Sequence, residues 1–317
     1  MRARCPNSAS EGPPTEVQGV PTHEPVLTSE VLQYLAPSRA GMIVDCTVGL
    51  GGHAKALLEA GDSRILGLDR DADALAAARQ ALAPYADRVE LVHADYRTLP
   101  DVLDARGIER IDGALADLGV SSMQLEAEGR GFSFRRDDPL DMRMDRSSGL
   151  PASELVNSAP ETELADVIWR YGEERFSRRI ARRIVEERDR APIATTGALA
   201  EIVRRAIPTR GYQRIDPATR TFQALRIWVN GELEGLDTFL KAAVARLREG
   251  ARLVVISFHS LEDRIVKHTL RALATGRDAL VTVLTKRPLV AQEDELERNP
   301  RARSAKLRAA ERLPVAA

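Results

Sequence analysis

Residues 42–53 read MIVDCTVGLGGH, and this stretch decides the predicted fold. A short run rich in β-branched residues ends in an acid and leads into a glycine-rich turn. A helical pattern follows, and then a second short strand, RILGLD, which ends in Asp69. Glycines in such a turn let the backbone approach a ligand closely. An acid about twenty residues further on is placed to accept hydrogen bonds from ribose hydroxyls. The stretch therefore predicts a site for a nucleoside cofactor.

Strands and helices alternate from residue 42 to residue 118, which predicts a parallel sheet with crossover helices. The candidate strands of this part are 42–46, 65–69, 89–93 and 111–118, with a helix at 71–82. After Asp117 a glycine- and charge-rich stretch fits neither the helical nor the strand period. Helices are expected beyond it at 161–171, 173–189, 196–206, 218–248 and 261–274, and strands at 252–258, 281–285 and 304–312. A helical block therefore interrupts one α/β sheet.

The composition limits the classes of partner and compartment. The 317 residues carry a formal net charge of −1, so any nucleic-acid surface must be local rather than a property of the whole chain. The two cysteines, Cys5 and Cys46, cannot form a disulfide framework or a zinc cluster by themselves. Apolar stretches of membrane-spanning length and a signal peptide are both missing from the sequence. We expect a soluble protein of a reducing compartment, without a structural metal and with a disordered tail at 1–20.

The glycine string by itself does not identify the nucleoside. Gly49, Gly51 and Ala54 fit G-x-G-x-x-A, which is also the dinucleotide fingerprint, so a nicotinamide cofactor stays open. His53, however, lies where the helix N-terminus would meet a pyrophosphate.

Further acids, Asp95 and Asp117, end the next two strands. Acids at successive strand tips favour a ligand with a cationic centre and no phosphate, such as S-adenosylmethionine, and Tyr96 is placed to pack on an adenine. Each acid taken alone could instead cap a helix.

Eight separated blocks of the chain closely resemble one family. They are HEPVL at 23–27, DCTVGLGGH at 45–53, DLGVSS at 117–122, RGFSFRRDDPLDMRMD at 130–145, YGEERFSRRIARRIVE at 171–186, PATRTFQALRIWVNGELE at 217–234, ISFHSLEDRIVK at 256–267 and NPRARSAKLRAAER at 299–312. The family is ribosomal RNA small subunit methyltransferase H, which methylates the N4 amino group of a decoding-centre cytosine in bacterial 16S rRNA. The resemblance covers the chain from about residue 22 to its end.

The resemblance implies a fold, a cofactor and a set of contacts. The fold is α/β, a doubly wound, mostly parallel seven-stranded S-adenosylmethionine-dependent methyltransferase sheet built from 21–125 and 217–317, with a mainly helical substrate-recognition insertion at 126–216. The implied partner is 16S rRNA within the 30S subunit, and the implied location is the cytoplasm. The carried-over cofactor contacts are Gly51, Gly52, His53, Asp69, Tyr96, Asp117 and Gln124. Two positions depart from the family pattern: Met123, often proline, and Asp216, often histidine.

Asp117 is the candidate catalytic residue, because chemistry in a doubly wound sheet takes place at the carboxyl ends of central strands. Its carboxylate, or a backbone carbonyl in 118–121, is placed to accept a hydrogen from the cytosine N4 amine. Other exocyclic-amine methyltransferases carry an aromatic residue after Pro-Pro here, whereas this chain has Gly-Val-Ser at 119–121. Base stacking is therefore assigned to Phe132, Phe134 or Trp228, each of which could equally be a core residue.

Other patterns leave alternatives. The arginines at 175, 178, 179, 182 and 183 share one helical face, which suits phosphates or a solvated face paired with nearby glutamates. The basic stretch at 298–312 has the same ambiguity, because Ala305, Leu307 and Ala309 alternate as an edge strand would. His259 and Ser260 allow a weak hydrolase interpretation. A nicotinamide-dependent oxidoreductase and a non-catalytic RNA-binding assembly factor remain the competing functional classes.

Overall fold

The computed structural model describes residues 24–36, 41–121, 124–125, 127–208 and 215–314. The expected tail at 1–20, the family residue His23 and the departure at Met123 lie outside these residues. Nothing in the described part is a helix that is both long and apolar enough to cross a membrane.

Seven strands of the described residues form one sheet, in the order β3-β2-β1-β4-β5-β7-β6. The strands are β1 (Met42–Asp45), β2 (Arg64–Asp69), β3 (Val89–His93), β4 (Ile111–Asp117), β5 (Leu247–Ser257), β6 (Val281–Val283) and β7 (Lys306–Arg312). Strands β1 to β5 pair in parallel, and β7 runs antiparallel to both β5 and β6. The predicted doubly wound, mostly parallel, seven-stranded α/β fold is therefore confirmed.

Helices cover both faces of this sheet. The helices of the sheet region are α1 (Thr28–Leu35), α2 (Gly52–Ala60), α3 (Ala72–Ala81), α4 (Leu99–Asp104), α10 (Leu236–Arg246), α11 (Ser260–Leu273) and α12 (Glu293–Arg298). Alternate strand residues face opposite sides: Val44 packs in one apolar cluster with α4, α10 and α11, and Ile43 packs in another with α1, α2 and α3. Both faces are apolar because parallel strands are buried on both sides.

A third apolar cluster lies in the helical block between β4 and β5. Its helices are α5 (Ala152–Ser158), α6 (Glu161–Gly172), α7 (Ser177–Arg188), α8 (Thr196–Ala206) and α9 (Ala218–Asn230). Helix α9 buries Phe222 and Leu225 in this cluster, although the sequence assigned it to the sheet domain. We therefore propose that the inserted unit extends to about residue 230 rather than 216.

One expected helix is wrong. The helix expected at 218–248 is two helices, because Gly231 (φ 56°) ends α9 and Gly235 (φ 68°) precedes α10, both in the left-handed conformation that glycine tolerates. The basic stretch at 298–312, for which an edge strand was one of two interpretations, contains strand β7, which lies between β5 and β6 and is almost wholly buried. Arg308 of β7 donates to Asp263 of α11 at 2.6 Å, so this basic residue has an internal partner.

Candidate functional site at the carboxyl edge of the sheet

Acids from four neighbouring strands meet at one edge of the sheet. Asp45, Asp69 and Asp117 are the last residues of β1, β2 and β4, and Asp95 follows β3 by two positions. The carboxyl ends of parallel strands share an edge, so the fold itself gathers these side chains. Asp45 completes the group; the sequence marked it as the end of the first strand but did not assign it to the site.

The glycine turn between β1 and α2 is closely packed and depends on left-handed backbone conformations. Gly49 (φ 52°) and Gly51 (φ 84°) adopt the left-handed conformation, and Gly51 is the N-cap of α2. A Cβ atom on Gly52 would lie 3.1 Å from the Pro25 ring. The Gly49 N–H donates to Asp69 Oδ2 at 2.8 Å, which fixes the turn against the tip of β2.

His53 joins the first turn of α2 to the tip of β4. Its side chain is 6% exposed, and its Nε2 lies 3.5 Å from Asp117 Oδ2. Among the described residues, both ring nitrogens of His53, Asp117 Oδ1 and Asp45 Oδ2 are buried without a hydrogen-bond partner. Buried polar atoms normally have partners. Four such atoms close together are unusual, and the two carboxylates among them favour positive charge nearby.

Burial also changes the acid–base behaviour of this edge. Desolvation raises the pKa of Asp45 to about 7, even though His53 and the Thr47 backbone N–H favour the ionised form. Desolvation likewise raises the pKa of Asp69. Both shifts mean that negative charge is costly here without a cationic partner.

The acid after β3 is already paired. Burial would raise the pKa of Asp95, but hydrogen bonds from Arg97 hold it below its usual range. A cavity of about 330 Å³ opens beside it, at the tips of β2 and β3. Its walls include Arg70, His93, Asp95, Arg97, Arg143 and Asn230. The Tyr96 ring lies next to Asp95 but packs on Phe239 at 4.6 Å between centroids.

Gln124 is held close to the tips of β2 and β4. It is 5% exposed, accepts a hydrogen bond from the Ser121 N–H at 3.0 Å and donates to Asp71 Oδ2 at 2.8 Å. Asp71 also binds Arg130 at 2.6 Å. Sequence reasoning missed both Asp71 and Arg130, since one resembled an ordinary helix cap and the other a surface charge.

The aromatic residues considered for base stacking lie mostly in packed surroundings. Phe134 packs edge-on against Phe222 at 4.7 Å between centroids and lies under Arg204. Phe132 is 8% exposed, and Trp228 packs against the cluster of the inserted helices. Trp169 on α6 is instead 57% exposed, a feature that the helical period did not reveal.

The remaining polar candidates have internal roles. Asp216, the departure from histidine, binds Arg204 at 2.9 Å and accepts from the Ala218 N–H at the start of α9. His259 caps α11 through the Glu262 N–H, and Ser260 donates to Glu173 at 2.9 Å, so these two do not act as a hydrolase pair. Glu232, His259 and Glu262 place ligand atoms within 4.8 Å of one another. Arg226 already binds both carboxylate oxygens of Glu232, which supplies the cation that this cluster requires.

The arginine face expected at 175–183 is only partly paired. Arg183 binds Glu186 and Glu187, and Arg182 lies 3.8 Å from Glu161. Arg178 and Arg179 are exposed, and within the described residues the side chain of neither makes a hydrogen bond or an ion pair. This face is therefore a mixture of solvated pairs and free cations.

Comparison with known proteins assigns the family. Three relatives named ribosomal RNA small subunit methyltransferase H are about half identical to this chain. They come from Geotalea uraniireducens (51% identity, covering 92% of this chain and 98% of the relative), Oleidesulfovibrio alaskensis (51%, 92% and 95%) and Sorangium cellulosum (51%, 95% and 94%).

Solved structures resemble the chain more distantly. An rRNA methylase from Streptococcus thermophilus is 12% identical over 90% of this chain and 94% of its own, with a TM-score of 0.40. Fibrillarin from Aeropyrum pernix with bound S-adenosyl-L-methionine is 11% identical over 85% and 66%, with a TM-score of 0.36. The assignment rests on the sequence relatives and on the model of the MraW methylase family, which matches residues 21–313. The chain belongs to the MraW methylase family.

Proposed function

We propose that the chain transfers a methyl group from S-adenosylmethionine to the N4 amino group of a decoding-centre cytosine in bacterial 16S rRNA. Membership of the methylase family makes the chain an S-adenosylmethionine-dependent methyltransferase, and its half-identical relatives are named as rRNA methyltransferases of the small subunit. The observation that carries the proposal is the buried cluster of Asp45, His53 and Asp117 beside the glycine turn.

The cofactor supplies an electrophilic methyl group on a sulfonium. We assign its ribose to Asp69 and its methionine end to the turn at Gly51, Gly52 and His53, because these groups line one edge. Tyr96 and Gln124 complete the proposed contacts. The low dielectric around Asp45 and Asp117 strengthens the attraction for a cationic ligand.

A cytosine N4 amine is a poor nucleophile, since its lone pair is delocalised into the ring. Asp117, with a side chain 25% exposed at the tip of a central strand, accepts a hydrogen bond from this amine and directs its lone pair toward the methyl carbon. The amine proton then leaves to solvent through the carboxylate. Alignment of the two reactants supplies much of the rate. The base must leave its stack to reach this position.

In this proposal the RNA partner is structured: it is 16S rRNA within the 30S subunit. Because this substrate is cytoplasmic, we propose the same location for the protein. Helix α7 starts close to the reacting edge, because Glu173 in front of it binds Ser260 and Arg264 of α11, just beyond the tip of β5. The free arginines Arg178 and Arg179 therefore lie on a helix that is anchored beside β5, the strand next to the one that ends in Asp117. Such a face suits rRNA phosphates.

The test is mass mapping of the nucleoside that the purified protein methylates in 30S particles. We expect one N4-methylated cytidine, and we expect Asp117→Asn to lower single-turnover transfer by about 10²–10⁴-fold, the usual effect of losing a positioned proton acceptor. The control is the denaturant unfolding midpoint of the same variant, which shows that it is folded independently of cofactor binding. Methylation at carbon or at a ribose hydroxyl would reject the N4 assignment. Unchanged transfer by Asp117→Asn would reject the role of Asp117.

A further inference from the structure

Three separate segments converge on the carboxylate of Asp71, which is 2% exposed. Its Oδ1 accepts hydrogen bonds from two N–H groups in the first turn of α3. Its Oδ2 accepts from Gln124 at 2.8 Å and from Arg130 at 2.6 Å. Its own N–H donates to Asp69 Oδ1 at 2.8 Å. Asp71 thus connects the acid at the tip of β2, the loop after β4 and the segment that contains Arg130.

Arg130 is a buried cation that reaches this point from the start of the inserted region. Its side chain is 4% exposed, and besides Asp71 it binds the Met144 carbonyl at 3.0 Å and Asp73 at 3.1 Å. A buried charge is tolerated only where partners of this kind surround it. These partners hold both terminal nitrogens of the guanidinium, whereas its Nε is buried without a described partner.

The backbone around Arg130 is equally constrained. The Arg130 carbonyl accepts from the Met142 N–H at 3.0 Å, so the chain folds back on itself. Gly131 (φ 73°) follows, and a Cβ atom there would lie 2.4 Å from the Pro139 carbonyl oxygen. Only glycine fits, and this glycine directs the preceding side chain inward toward Asp71.

We infer that Arg130 is a positioning residue for S-adenosylmethionine, acting through Asp71 on Asp69 and Gln124. The inference rests on the proposed cofactor contacts of those two residues. Arg130 binds neither the cofactor nor the RNA. It neutralises Asp71 and fixes the orientation of its carboxylate, and this orientation determines where Gln124 and the N–H that faces Asp69 lie. The inserted region thereby shapes the cofactor site that belongs to the sheet.

Arginine suits this role because its planar fork spans several partners at once. Nη2 donates to Asp71 and to the Met144 carbonyl, while Nη1 donates to Asp73. Lysine keeps the charge but offers a single ammonium on a flexible stem. In Arg130→Lys we expect the Kd for S-adenosylmethionine to rise about tenfold, the loss expected for one charge-assisted hydrogen bond. The kcat at saturating cofactor should stay within a factor of about three, because the hydrogen bond from N4 to Asp117 is unaltered.

The experiment measures S-adenosylmethionine binding to the full chain by calorimetry, and KM and kcat on 30S particles. Two controls match Arg130→Lys. Asp73→Asn removes the exposed partner of Arg130, and Arg308→Lys loosens another buried arginine pair, far along the sheet on β7. Both should leave the Kd within about twofold of wild type.

A double-mutant cycle with Gln124→Ala separates positioning from general loosening. If Arg130 acts through Gln124 as well as Asp69, the double variant binds more tightly than the product of the two single effects predicts; fully independent effects would multiply. Asp71→Asn gives a second route to the same result and should also raise the Kd. An unchanged Kd in Arg130→Lys, a multiplicative cycle or an equal rise in Arg308→Lys would overturn the inference. Failure of the wild-type chain to bind S-adenosylmethionine would instead reject the proposed function.

Discussion

Asp45 is the residue whose chemistry is most altered by the fold. It is 1% exposed, and its pKa is raised to about 7 by desolvation, with smaller contributions from Asp117 and Asp69. Its Oδ2 is one of the buried oxygens that lack a partner among the described residues. A carboxylate in this condition ionises readily only when a positive charge is brought beside it.

The affinity for S-adenosylmethionine should therefore depend on pH. A cationic ligand favours the ionised form of Asp45, so binding below pH 7 releases a proton, and the Kd should fall as pH rises from 6 to about 7 and then level off. Calorimetry at pH 6, 7 and 8 in buffers of different ionisation enthalpy measures the Kd and the number of protons released on binding. Asp45→Asn should bind more weakly but with a flatter pH profile. An equal slope in the variant would assign the proton to another group.

The raised pKa of Asp45 also affects the stability of the fold. Whereas cofactor binding strengthens as pH rises, the contribution of Asp45 to stability weakens. The folded-state pKa of Asp45 lies above the unfolded value of 3.8, so the folded chain holds the extra proton between about pH 4 and 7. The contribution of Asp45 is thus most favourable at low pH and is lost as pH rises through this window. The site is tuned for binding a cation at some cost to the fold near neutral pH.

Helices and strands were predicted well where the hydrophobic periodicity is strong. They were predicted poorly where a single glycine determines where a helix ends. The sheet strands of the first half follow from runs such as RILGLD, and helix α8 (Thr196–Ala206) has the expected bounds. The break between α9 and α10 was missed because Gly231 and Gly235 lie inside a helical pattern that continues on both sides. The central position of β7 depends on its pairing partners, which no local pattern encodes.

Helices α6 and α9 approach closely at Gly172. A Cβ atom there would lie 2.6 Å from the Arg220 carbonyl oxygen on α9. Gly172→Ala should destabilise the protein by roughly 1–2 kcal/mol, because the strain of overpacking exceeds the gain in helix propensity. Denaturant unfolding measures the change. Thr162→Ala, at an exposed and uncharged position of the same helix, gains helix propensity without the clash and should not destabilise the protein. Equal or greater stability of Gly172→Ala would show that the helices can separate without cost.

At the scale of the molecule, the site divides into a part that sequence reveals and a part that it does not. The glycine turn, Asp69 and Asp117 follow from where strands end, since a parallel sheet must gather such residues at one edge. The contacts of Asp71 and Arg130, 59 positions apart, arise from the return of the inserted region to the sheet. Periodicity carries no information on a contact of that range, and a buried arginine is unexpected from composition.

Charge is the property of the whole molecule that limits how it binds RNA. The 46 Lys and Arg are balanced by 47 Asp and Glu, so attraction to phosphates must come from local faces. The side chains of Arg178 and Arg179 on α7 are exposed cations of such a face that bind no described residue. Arg190, two residues beyond the end of α7, is 67% exposed but binds Glu187 at 3.2 Å.

Replacing both free arginines, Arg178→Gln with Arg179→Gln, should weaken binding to the rRNA substrate and flatten its dependence on salt. Each lost phosphate contact lowers the slope of log K against log salt by about 0.7 on single strands, so the double variant should lose about 1.4. Binding measured between 50 and 200 mM salt, roughly the range over which such contacts dominate affinity, gives the slope. Arg190→Gln removes a cation that is already paired and should leave the slope close to wild type. If the double variant keeps the wild-type slope, α7 does not contact phosphates and the RNA must lie along another face of the molecule.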